Sequence, residues 1–175
     1  MRLSVKMIVL LGLLLACAAG AAAAGNLPFE EQEPEGFRDI TWGTPVSQVE
    51  GLKFSADGTA ALRELYKRTR KQAAAQVSVY SRPGDRLKIG EGTLTRIYYY
   101  FYDDLFYGAT AYFTGRDNYE KLLSACYKKF GEPTLTEADR VEWQGKSTSI
   151  VLSQKGVFSM DSEKIKDQME EPEGF

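Results

Sequence analysis

The 175-residue sequence contains no histidine. That removes the side chain most used as a general base near neutral pH and as a ligand for transition metals. Ser-His-Asp, Cys-His and His-zinc sites are all excluded with it. Cysteine is nearly absent too: Cys17 lies in the N-terminal apolar run and Cys126 is the only other. With Cys17 lost in a cleaved signal, Cys126 has no partner for an internal disulfide, so stability rests on packing even in an oxidising compartment. Long hydrophobic runs are confined to the N-terminus. No later segment approaches the roughly 20 apolar residues of a membrane-spanning helix. Excess positive charge is also lacking. Loss of Arg2 and Lys6 with the signal takes the basic count from 22 to 20 against 24 acidic residues, and the formal charge from −2 to −4. Nucleic acid is therefore not an expected partner. No cofactor or metal motif is recognised, and carboxylate-pair hydrolysis is the main catalytic chemistry left open.

What is present begins with an export signal. Arg2 and Lys6 form a positive n-region, Met7 to Leu15 a short apolar h-region, and small residues follow, which is the anatomy of a secretory signal over residues 1–24. Two processing sites stand side by side. Ala22-Ala23-Ala24 before Gly25 is a small-x-small cleavage site. Leu14-Leu15-Ala16-Cys17 resembles a bacterial lipobox, in which Cys17 is lipidated and heads the mature chain. The first route leaves the protein free in the periplasm or secreted; the second tethers it to the membrane as a lipoprotein.

The remaining chain of about 150 residues is one domain's worth. Residues 25–36 are acidic and proline-containing and predict an extended linker, residues 37–161 a folded domain, and residues 162–175 a charged tail. Phe37 to Trp42 reads as a short extended segment. Thr44-Pro45 opens a brief helix ending near Gly51. Asp57 to Gln76 predicts a helix with a basic face of Arg63, Lys67, Arg68, Arg70 and Lys71. Val77 to Tyr80 and Arg86 to Ile89 predict a hairpin around Pro83-Gly84. A second, aromatic hairpin joins Thr95–Tyr102 to Leu105–Thr114 through Asp103-Asp104. Strict alternation places Ile97, Tyr99, Phe101, Phe106 and Tyr112 on one face, and Tyr98, Tyr100, Tyr102, Tyr107 and Phe113 on the other.

Asp117 predicts the cap of the principal helix, Asn118 to Phe130, with Glu120 as capping-box partner, Lys128 and Lys129 at its negative end, and Gly131 and Pro133 as the stop. Cys126 falls on its apolar stripe. Val141–Gln144, Ser147–Ser153 and Val157–Asp161 predict three more strands. The fold class expected is α+β: a mostly antiparallel sheet of about six or seven strands, packed by one main amphipathic helix, with one or two shorter helices.

Glu33-Pro34-Glu35-Gly36-Phe37 recurs as Glu171-Pro172-Glu173-Gly174-Phe175. Phe37-Arg38-Asp39-Ile40-Thr41-Trp42-Gly43-Thr44, then Tyr80-Ser81-Arg82-Pro83-Gly84-Asp85, the aromatic hairpin, Phe130-Gly131-Glu132-Pro133 and Trp143 resemble an uncharacterised family of small exported bacterial proteins. The resemblance spans most of residues 37–161, outside 56–76. It implies export and an α+β fold and brings no catalytic residues. Gly43-Thr44 with Val49, and Phe130-Gly131-Glu132-Pro133, are also similar to pieces of the BamE-like envelope lipoproteins.

The expected role is a non-catalytic envelope protein, a binding or accessory module for a protein, glycan or lipid. Tyr98, Tyr100, Tyr102 and Tyr107 on one strand face, with Lys67, Arg68 and Arg70 on the basic helix, are the candidate contact residues, because tyrosine joins an apolar body to a polar tip. One helix covers only one side of the hairpin, and the sequence leaves open whether the tyrosine face is exposed or buried under other elements of the chain. An inhibitor or sequestering protein for a secreted hydrolase is the alternative. A carboxylate hydrolase is the third, with Asp103 and Asp104 as adjacent acids whose tight-turn position suits backbone bonding instead. Oligomeric state is left open by the sequence.

Overall fold

The computed structural model describes residues 28–170. The signal, Cys17, the Ala24–Gly25 junction and the second copy of the pentapeptide lie outside the described residues. In chain order the strands and helices are β1 (Gly36–Phe37), β2 (Ile40–Thr41), β3 (Lys53–Phe54), α1 (Ala56–Thr69), β4 (Val77–Ser81), β5 (Lys88–Ile89), β6 (Gly92–Thr93), β7 (Arg96–Tyr102) and β8 (Leu105–Tyr112). There follow α2 (Arg116–Phe130), β9 (Leu135–Thr136), β10 (Arg140–Gln144), β11 (Thr148–Ser153), β12 (Val157–Ser162) and α3 (Glu163–Asp167). Eight strands form one sheet in the order β3-β4-β7-β8-β12-β11-β10-β9, every neighbouring pair antiparallel, and β1–β2 and β5–β6 are separate hairpins. The α+β class with an antiparallel sheet is thus the one expected.

Asp103 and Asp104 turn the β7–β8 hairpin with φ of 47° and 61°, the left-handed pair of a type I′ turn, which matches strand twist. Alternation then breaks. Tyr100 pairs with Gly108 while Phe101 pairs with Phe106, so Tyr107 is an extra residue in β8. This bulge overturns the strict alternation: beyond it Ala109, Ala111 and Phe113 join Ile97, Tyr99, Phe101 and Phe106 in the main core. Tyr112 turns to the opposite side, its ring edge-on to Tyr98.

The main core lies between the sheet and α2, which buries Tyr119, Leu122, Cys126 and Phe130. Side chains such as Leu122 and Phe130 contribute roughly 1.5–3 kcal/mol each when fully buried. α2 begins two residues earlier than expected, behind Gly115 and without a side-chain cap. Asp117 instead sits in its first turn, 2.5 Å from Lys121, where a negative charge favours the helix start. Trp143, fully buried, donates its indole N–H to the Gly131 carbonyl at 3.0 Å and so fixes the helix end.

The other sheet face is partly covered, which answers for the tyrosine face a question the sequence leaves open. α1, α3 and the turn after α3 bring Tyr66, Ile165 and Met169 against Val77 and Tyr107 in a second cluster. α1 starts at Ser55, whose hydroxyl accepts from the Gly58 N–H at 3.2 Å, and ends at Thr69, with a separate turn at Ala73–Ala75, so the helix expected to run to Gln76 is shorter. It also protects the edge of β4: Thr59 accepts from the Val79 N–H at 2.9 Å and Arg63 donates to the Val77 carbonyl at 3.1 Å, filling backbone positions that an open edge would offer to another strand.

Four local expectations change. The brief helix expected from Thr44-Pro45 to near Gly51 is a single 3-10 turn, Val46–Gln48, with no side-chain cap. β4 pairs with β3 and β7, while Lys88–Ile89 pairs with Gly92–Thr93, so the hairpin expected around Pro83-Gly84 is absent. Residues 28–36, expected as linker, are packed: Phe29 is buried edge-on to Phe130, and the Glu33 carboxylate accepts from the backbone N–H groups of Lys146, Ser147 and Thr148 and from the Ser147 hydroxyl at 2.6–2.8 Å. The start of the expected tail is ordered as α3, capped by Ser162 and anchored by buried Ile165 and Met169.

Candidate functional site

The β1–β2 hairpin turns at Arg38-Asp39, with Arg38 at φ 58°, a left-handed conformation uncommon for a residue with a side chain. The bonds of that side chain hold it there. Nη1 donates to Asp85 Oδ1 at 2.6 Å, and Nη2 to the carbonyls of Arg86 and, at 3.5 Å, Lys88. This guanidinium draws residues 85–88 away from β4, which explains the missing hairpin. The second Asp85 oxygen accepts from the Tyr99 hydroxyl at 2.5 Å. Asp39 in turn accepts from Arg82 at 2.9 and 3.1 Å. Two segments far apart in sequence therefore exchange ion pairs in both directions. Burial, then the bond to Asp85, pushes the Tyr99 hydroxyl far above its usual range, so it stays a donor. The Arg82 bond holds Asp39 below the ordinary carboxylate value.

Beside this knot a cleft of about 740 Å³ opens between the two small hairpins and the last turns of α2. Arg38, Arg86 and Lys88 stand on one rim, Lys128 and Lys129 on the other. Its apolar lining is Phe37, Ile89, Ala125, Phe130, Phe158 and Met160, with Cys126 among them, and no acidic residue contributes. Arg38 is committed to Asp85. Among the described residues, Arg86, Lys88, Lys128 and Lys129 form no ion pair. Lys129 extends its ammonium to 5.5 Å from the Phe130 ring centre. Burial pushes the Cys126 thiol up to about 12, so it is neutral at physiological pH.

Glycine sets the shape of this cleft. A Cβ at Gly92 would overlap the Leu122 side chain, and one at Gly90 would come within 2.7 Å of the Ala125 Cβ. The β5–β6 hairpin consequently lies flush on α2. Thr93 N–H donates to Asn118 Oδ1 at 3.0 Å and fixes its far end.

The residues expected as contacts are elsewhere. Tyr107 is buried, and its hydroxyl lies 3.0 Å from that of Tyr66. Tyr100 and Tyr102 are half-buried against the α1 cluster. Tyr98 is half-exposed with Tyr112, and the Arg96 guanidinium lies 5.7 Å and 4.5 Å from their rings. Lys67 and Arg68 are exposed and reach Glu64 at 3.1 and 3.7 Å; Arg70 reaches Glu170 at 3.7 Å and stacks over Tyr66. These seven residues do not converge on one site. The cleft residues were missed because Lys128 and Lys129 already had a helix-end role and Arg38 had none. No signal in the sequence could have joined them, since Arg38, Arg86 with Lys88, and Lys128 with Lys129 lie in three separate segments.

One further acid is perturbed. Asp161 lies over Gly108, among Tyr100, Tyr107, Glu163, Lys166 and Arg70. Burial raises its carboxyl to about 6, and Glu163 adds to the rise while Lys166 and Arg70 oppose it. Glu163 itself is held below its usual value: burial raises it, but bonds from Lys166 at 2.7 Å and Ser149 at 2.5 Å win. Neither acid lines the basic-rimmed cleft.

No family model, curated protein or solved structure matches this chain.

Proposed function

We propose that this protein is an extracytoplasmic, non-catalytic binding module whose ligand site is the cleft between α2 and the β1–β2 and β5–β6 hairpins. One observation carries the reading: an apolar hollow rimmed by five cations, four of them without an acidic partner among the described residues, in a chain of negative net charge. Keeping like charges together around an apolar surface costs stability, and an anion placed among them relieves it. Its volume falls within the range of about 300–1,000 Å³ of small-molecule sites. The left-handed Arg38 on the rim adds support, because backbone strain of this kind clusters at ligand sites. The signal-like sequence of residues 1–24 supports a location outside the cytoplasm, free or lipid-tethered. The cleft offers no general base: its only ionisable groups are cations and a neutral thiol.

The test is fluorescence titration with anilinonaphthalene sulfonate, an anionic aromatic probe. The folded protein binds it saturably at one site, and Ile89→Trp, which fills the hollow, abolishes the signal while leaving the thermal midpoint in place. Non-saturable binding, or binding untouched by Ile89→Trp, contradicts the assignment.

A further inference from the structure

Resting on the assignment of the cleft as the ligand site, we infer that its ligand is a single-chain amphiphile with an anionic head, the alkyl chain lying along α2 and the head held between Arg86 and Lys88 on one side and Lys128 and Lys129 on the other. The two parts of the cleft call for different chemistry. Its floor offers an incoming chain no polar side chain except a thiol that burial keeps protonated, so each polar group laid there would lose its hydrogen bonds to water without replacement. An alkyl chain carries none. A peptide carries an amide at every residue, which disfavours a polypeptide occupant. The rim needs the opposite: Arg86, Lys88, Lys128 and Lys129 are exposed and without ion pairs among the described residues, whereas Arg38 is neutralised by Asp85. An anion at the mouth is then stabilised by several unshared cations at once. At about 740 Å³ the space is large enough to take an alkyl chain.

Isothermal titration of the full mature chain at low salt tests this, with each probe below its micelle threshold. The probes are octanoate, decanoate, dodecanoate, monododecyl phosphate, dodecyl maltoside, inorganic phosphate and a peptide of residues 170–175. Dodecanoate and monododecyl phosphate are expected to bind one to one and at least about tenfold more tightly than the maltoside, and the two anions report which head is preferred. Affinity rises through the carboxylate series by up to about fourfold per methylene, the ceiling for full burial. Lys128→Gln with Lys129→Gln weakens the anions by roughly tenfold and the maltoside by less than about twofold, and salt near 300 mM acts in the same direction.

Equal affinity for maltoside and dodecanoate, no dependence on chain length, phosphate alone binding as tightly, or the acidic peptide binding more tightly than dodecanoate would each overturn the inference. Saturable dye binding blocked by Ile89→Trp in that event keeps the cleft as a site and rejects only its ligand. Absence of both dye and amphiphile binding rejects the site as well.

Discussion

Arg38 and Asp85 are bonded at 2.6 Å across 47 positions of sequence, and the pair ties the β1–β2 turn to the loop that carries one rim of the cleft. Arg38→Ala is expected to cost about 1–3 kcal/mol, since it leaves a part-buried carboxylate and two carbonyls without their donor. Asp85→Ala releases Arg38 and Tyr99 together. A double-mutant cycle by denaturant unfolding should return a coupling of about 0.5–3 kcal/mol; a coupling near zero would mean that the bond holds nothing in place.

Glu33 anchors the N-terminal segment to the Lys146–Thr148 turn. Burial raises its carboxyl, but the bonds from the Ser147 hydroxyl and three backbone N–H groups outweigh this and leave it below its ordinary value. A folded-state pKa below the unfolded one stabilises above the unfolded value and is lost as pH falls through the folded value. Glu33→Gln should therefore flatten the stability curve below about pH 4.5, and Glu33→Ala should cost about 1–2 kcal/mol at neutral pH. Urea midpoints measured across pH 3–7 check both.

Asp161 has the opposite sign. Its carboxyl at about 6, against 3.8 for the free group, means that the folded state holds the proton more tightly. The resulting stability is complete below the unfolded pKa and disappears as pH rises through about 6. Asp161→Asn should raise stability at pH 8 by on the order of 1–2 kcal/mol, a figure moderated by the water still reaching the carboxyl. It should also remove the decline between pH 4 and pH 6. Unfolding of the two proteins at pH 4 and pH 8 decides it.

Much of this fold was legible. The aromatic hairpin, the α2 helix and the last three strands fall within one or two residues of their expected bounds, because each carries a strong period and a turn signal. The Tyr107 bulge was not legible: nothing in a run of alternating aromatic residues marks which one is extra. Nor was α3 visible as packed structure, since Ile165 and Met169 are two apolar residues among charges and gain meaning only from the cluster they enter. The cleft was hidden for a related reason. Its cations come from three separate stretches that tertiary packing alone brings together.

Cys126 was read correctly as a buried apolar position, and it is 1% exposed with its thiol pushed up to about 12. It should react with Ellman's reagent at pH 8 only on the timescale of unfolding, and at the rate of a free thiol in denaturant. Fast reaction in native buffer would show that the Cys126 thiol is reachable without unfolding.

Where a ligand touches the protein distinguishes the cleft from the tyrosine face. Titrating the isotopically labelled chain with dodecanoate and following backbone amide shifts measures this directly. The expected result is saturable shifts concentrated at residues 36–38, 86–90 and 125–130, with Tyr98, Tyr100 and Tyr112 unmoved. Shifts centred on the tyrosine face, or none at millimolar ligand, would contradict it.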